Sequence, residues 1–183
     1  DAGARVDMSS QRVRLPAALI ERCLATAGKR FTIYGRDPSK RAVFGAGVRN
    51  YNSIAGEAYW VDAPGRPRRP ATLQDVATAA RFADALPLLT IAGAMADPQE
   101  VPPGARVVAT MATMLRNTTK PLTFWYHDRR TAGFLNEIMI AVRGDAQRAA
   151  AQPLCYPFLE PISPLRFPFD GVDVIFETAA LNL

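Results

Sequence analysis

An α/β fold is predicted by three features of the sequence. From Thr72 onward, helical and strand-like segments alternate, one helix and then strand–helix three times. The strand-like segments are short apolar runs of the buried type. The gaps between them exceed the roughly dozen residues that a parallel crossover needs. Together these describe a parallel sheet with helices outside it, in the order of the first βα units of a TIM (β/α)8 barrel. A complete barrel takes roughly 250 residues, whereas the sequence has 183. The barrel is therefore expected to be incomplete, its last helix running into Leu183. Residues 1–70 are read as an N-terminal helix and hairpin segment, and residues 71–183 as the first part of the barrel.

Each element has its own signal. Pro16 suits a first helical turn, and Leu19, Ile20, Cys23 and Leu24 share one face up to Gly28. Phe31–Tyr34 and Arg41–Phe44 are strand-like and flank a stretch rich in turn formers, which predicts a hairpin. Residues 57–62 form an apolar, aromatic run, and residues 63–70 a loop of proline, glycine and arginine. Thr72 and Asp75 have the spacing of a capping box, followed by Leu73, Val76, Ala80, Ala83 and Leu86 at helical spacing. Residues 88–92 read as a strand. Pro102 and Pro103 open a helix with Val107, Val108, Met111, Met114 and Leu115 as its buried stripe. Residues 122–126 are the next strand, followed by a helix through Phe134, Leu135, Ile138, Met139 and Val142 to Gly144. Asp145 caps a short helix, residues 154–159 form the last strand, and a final helix carries Val172, Ile175, Phe176, Ala179 and Leu183.

Composition narrows the classes. Hydrophobic residues make up 49% of the sequence, enough for a core. No apolar run approaches the roughly 18 residues of a membrane span, and the first residues lack a signal-peptide core. Cys23 and Cys155 are too few for a disulfide framework and read as reduced core residues, from which a cytoplasmic location is expected. With a single histidine they cannot build a metal site. The formal charge of +5 invites a nucleic-acid reading. The arginines are dispersed, however, and only Arg66, Arg68 and Arg69 cluster, so no nucleic-acid partner is expected.

Four stretches carry a family resemblance: Phe31–Pro38, Gly56–Asp62 with Arg69–Asp75, Thr119–Pro121 and Ile162–Leu165. In this order the chain resembles the N-terminal region of the trimethylamine–corrinoid methyltransferase family over nearly its whole length. The resemblance implies a TIM-barrel enzyme that moves a methyl group from a methylated amine to the cobalt of a corrinoid protein. The substrate would be trimethylamine or a quaternary amine such as glycine betaine. The corrinoid would sit on the partner protein, with no cofactor held by this chain itself. The family position that separates pyrrolysine-containing members from the others lies in the later half of the barrel. An incomplete barrel exposes strand edges, so a homo-oligomer is expected. The competing reading is a catalytically silent structural or interaction fragment.

A quaternary ammonium cannot donate a hydrogen bond, so aromatic faces and carboxylates are the groups suited to hold it. Barrel active sites lie at the C-terminal ends of strands. His127, after the second barrel strand, reads either as a residue at the barrel mouth or as a strand-end histidine bonded to a loop. Trp60, Trp125 and Tyr126 read either as cage walls or as packing residues. Glu160, beyond the third strand, reads either as a partner for a substrate cation or as a solvated carboxylate. Asp62 and Asp75 are explained as a turn residue and a helix cap, and Lys120 belongs on the stability face.

Overall fold

The structure was obtained as a computed structural model and describes residues 2–179. It forms two compact units, one up to residue 31 and one from residue 32 onward.

In the first unit, β1 (Arg5–Asp7) pairs antiparallel with β2 (Arg12–Arg14). The Asp7 carboxylate ties the turn by accepting from the hydroxyls and backbone N–H groups of Ser9 and Ser10. These bonds, the Ser10 hydroxyl foremost, hold its pKa down to about 2. The predicted helix follows as α1 (Ala17–Thr26), with Pro16 in the N-cap position. Its apolar face is not core: no residue of α1 is buried, and Cys23 is an exposed free thiol. A stripe of apolar side chains is buried only where another element covers it, which periodicity does not report.

The second unit starts at the second residue of β3 (Phe31–Tyr34), which with β4 (Arg41–Phe44) forms the predicted hairpin, Gly35 N–H donating to Lys40 O. β5 (Tyr59–Trp60) then pairs antiparallel with β6 (Arg69–Pro70), so the end of the expected loop is a short strand. Arg69 makes that hairpin rigid, its guanidinium spanning the carboxylates of Asp62 and Asp75 at 2.7–3.0 Å. α2 (Leu73–Ala85) opens on the predicted capping box. β7 (Ala92–Gly93), α3 (Pro103–Asn117), β8 (Leu122–Trp125), α4 (Arg129–Arg143), α5 (Ala146–Ala151), β9 (Cys155–Phe158) and α6 (Phe169–Ala179) complete the order. Leu183, expected in the last helix, lies outside the described residues.

β7, β8 and β9 form a parallel three-stranded sheet in sequence order, the predicted alternation made physical. One strand boundary differs: residues 87–88 are turn, with Leu89 N–H donating to Leu86 O and Leu88 exposed, and pairing starts only at Ile91. The sheet also has a neighbour that periodicity missed. Asn52 bridges Ile91 in parallel sense, and the N–H groups of Ile91, Met95 and Asp97 donate to the carbonyls of Tyr51, Ile54 and Glu57. Residues 51–57 thus run alongside residues 91–97 as a fourth, irregular parallel chain.

Strand alternation assigns the two sheet faces. Leu122, Phe124 and Tyr126 enter the main core with Val76, Val107, Met111, Met114, Leu135 and Met139 from the helices. On the other face Ile91 packs with Ile33 and Ala42 of the first hairpin, edged by Phe44 and Tyr156. The hairpin is fastened at the N-terminal ends of the strands. Tyr34 N–H donates to Pro153 O, Asp37 N–H to Thr119 O, and Arg143 to the carbonyls of Tyr34, Gly35 and Gln152. A Cβ on Gly35 would lie 2.0 Å from Thr119 O, so only glycine permits this approach. Lys120, at the same end, is buried and donates to Ala83 O and Leu86 O at the C-terminus of α2. Cations are favoured there, which is the structural role expected for it.

Candidate functional site

The opposite, C-terminal ends of β7 and β8 place a small cleft between residues 55–56 and the strand ends, lined by Gly56, Ala94, Ala96, Asp97, Trp125 and His127 among others. Small residues make room for it. Gly56 has no side chain to meet Ala96 O or the Trp125 ring, both within 3.4 Å of where its Cβ would be. Trp125 uses that proximity to donate its indole N–H to Gly56 O at 3.0 Å. Its ring also stands edge-on to Phe158 of β9, with centroids 4.9 Å apart. Trp125 is therefore half-buried and held at both ends, on the sheet face opposite the helices.

His127 follows two residues later, exposed, at the mouth of the cleft. The backbone just beyond it is fixed, because Asp128 caps α4 by accepting from Thr131 N–H. Facing the imidazole is Asp97, whose Oδ1 lies 3.8 Å from His127 Nε2. The other oxygen, Oδ2, accepts from Arg106 Nη1 at 3.0 Å and from Gln99 Nε2 at 2.8 Å. Burial works against the charge on Asp97, but His127, Arg106 and Gln99 outweigh it and hold the carboxyl below its ordinary range. Just before it, Met95 adopts φ +55, a left-handed conformation that is costly for a non-glycine residue.

The remaining expected residues are not gathered here. Tyr126 lies on the helix-facing side of β8, buried in the main core, with its hydroxyl 2.9 Å from Cys155 Sγ. Burial pushes the Tyr126 hydroxyl well above its ordinary value and the Cys155 thiol up to about 11, so both stay protonated. As a cage wall Tyr126 is corrected: strand alternation sends it away from Trp125. Trp60 packs, half-buried, against the main core. Glu160 is exposed beyond β9 and does not line the cleft. Asp97, Arg106 and Gly56 were missed by the sequence reading. The available signal was an Asp-Pro pair straight after residues 92–96, a run small in all but Met95, since an acid following a strand of the expected barrel falls on the active face. Among the described residues, no group of three or more His, Cys, Asp or Glu could hold a metal ion, and no helix is long and apolar enough to cross a membrane.

The profile of the trimethylamine methyltransferase (MTTB) family matches residues 1–182. The chain is similar to trimethylamine methyltransferase MttB of Desulfitobacterium hafniense, 26% identical over 183 residues, covering 100% of this chain and 37% of that relative. A glycine betaine methyltransferase of the same species is 25% identical over 161 residues, 87% of this chain and 33% of the relative. Trimethylamine methyltransferase MttB1 of Methanosarcina acetivorans is 26% identical over 198 residues, 99% of this chain and 38% of the relative. The chain thus spans little more than a third of the length of the curated relatives it matches.

Proposed function

Because the chain belongs to the trimethylamine methyltransferase family, we propose that it is the N-terminal part of an enzyme that moves a methyl group from a methylated amine to a corrinoid protein. The family match over residues 1–182 carries this reading. The substrate class is a tertiary or quaternary methylamine, since the similar proteins are named for trimethylamine and for glycine betaine. The four parallel chains from residue 51 to β9 would be the first strands of a (β/α)8 barrel, completed by chain beyond this segment. The corrinoid belongs to the partner and enters the reaction as methyl acceptor.

The chemistry suits the site. A bond forms from the acceptor to the methyl carbon while the C–N bond breaks, and its electron pair stays on nitrogen. A quaternary ammonium, or trimethylamine in its protonated ammonium form, therefore leaves as a neutral amine, and alignment and exclusion of water matter more than proton transfer during the step. Trp125 offers an aromatic face that attracts a cation without needing a hydrogen-bond donor. His127, at the mouth of the cleft, is the polar group we assign to border the bound amine.

In the intact protein, His127→Ala should lower methyl transfer to a reduced corrinoid protein by about a hundredfold. Its melting temperature should hardly move, because the imidazole is exposed. Transfer is followed by the absorbance change of the corrinoid. Normal rates with a lowered melting temperature would make His127 a structural residue, and absence of transfer from every methylated amine tried would overturn the function. The isolated 183-residue chain should show no turnover and should self-associate, because among the described residues β9 is an edge strand and side chains such as Phe167 and Phe169 are exposed. Sedimentation velocity giving a monomer at high concentration would refute the self-association.

A further inference from the structure

We infer that Asp97 is a positioning residue for His127, fixing the ring through Nε2 and leaving Nδ1 to face the methylated amine. This rests on the proposed methyl transfer for its purpose, but not for its geometry. Asp97 is itself immobilised from three directions. Its backbone N–H is bonded to Glu57 O, and its Oδ2 is occupied by Arg106 and Gln99. Arg106 is held in turn, donating from Nε and Nη2 to Val101 O.

What remains on the carboxylate is Oδ1, and the group facing it is the His127 ring at 3.8 Å. At that separation the two groups face each other without a hydrogen bond, and a rotation of the exposed imidazole about its side-chain torsions would shorten the gap. Hydrogen bonds of this kind are often long in the empty site and tighten in the substrate complex. The backbone at 127–128 is already fixed by the α4 cap, so the ring's orientation is the freedom left to set. A carboxylate on one imidazole nitrogen determines which nitrogen carries the proton and where the other points. The alternative is that Asp97 only fastens its own loop through Arg106 and Gln99.

The test is 15N-histidine NMR on the intact protein, with and without trimethylamine or glycine betaine. The His127 signals are assigned by their loss in His127→Gln. The expected result is an Nε2–H proton protected from solvent exchange, at least in the amine-bound state, and lost in Asp97→Asn. In that variant kcat for methyl transfer should fall at least about tenfold while KM changes little. A His127 ring that is unprotected in both states of the unaltered protein overturns the inference, and that arm is decisive even if Asp97→Asn does not fold. Loss of the ring signal with unchanged kcat also overturns the positioning role. Failure of the unaltered protein to transfer methyl groups is a failure of the proposed function, and the ring signal is still read separately.

Discussion

Gly93→Ala should cost about 3 kcal/mol of stability, seen as a melting temperature lower by roughly 10 °C. A Cβ there would stand 2.2 Å from Ile54 O and 2.3 Å from Ser53 O, both backbone atoms that cannot swing aside. The same residue receives the Ser53 hydroxyl, which accepts from Gly93 N–H at 2.7 Å and lies 3.3 Å from Gly93 O. The substitution therefore strikes the seam where residues 51–57 join the sheet. Gly104→Ala is the matched control, since nothing lies within 4 Å of its added methyl and alanine suits the first turn of α3. If both variants melt together, the close packing of this seam is not what holds the sheet edge.

Asp75→Ala should cost about 2 kcal/mol near neutral pH. The carboxylate accepts from Thr72 N–H and the Thr72 hydroxyl and from two nitrogens of Arg69, so its loss removes the reciprocal half of the α2 capping box and frees the guanidinium that braces the second hairpin. The pH dependence has a definite sign. Arg69 first, then the Thr72 bonds against the opposition of burial, hold the folded-state carboxyl below its ordinary value. Its contribution is therefore complete above the unfolded-state value of about 4 and is lost as pH falls through the lower folded-state value. Thermal melts of the parent and Asp75→Asn should accordingly differ most at neutral pH and converge in acid. A gap that widens in acid would assign the effect to something other than the ionised carboxylate.

Much of this framework was legible because it is local. Thr72 and Asp75 announce a cap, Gly144 a helix end in the left-handed region (φ 94), and Leu135 and Met139 a buried stripe. What escaped was non-local. Nothing in the composition of residues 51–57 marks a strand, since that segment pairs irregularly and depends on the β7 edge for its hydrogen bonds. Cys23 looked like core because a stripe on a ten-residue helix does not report its cover. At the site, Trp125 and His127 border one small cleft. The partnership with Asp97 spans thirty residues and two elements, and depends on the loop conformation set by Met95.

The first hairpin, sealed against Thr119 by a glycine that admits no side chain, has a kinetic corollary in the proposed barrel. There it would close one end of the interior like a floor, so that amine and acceptor would both arrive through the other. Two reactants sharing one doorway cannot come in random order when one is a small molecule and the other a whole protein. The amine would have to bind first and the corrinoid protein would then stopper the opening. Such an obligatory sequence shows in steady-state inhibition. An unreactive amine analogue should compete with the amine, whereas a corrinoid protein unable to accept methyl should act uncompetitively toward it.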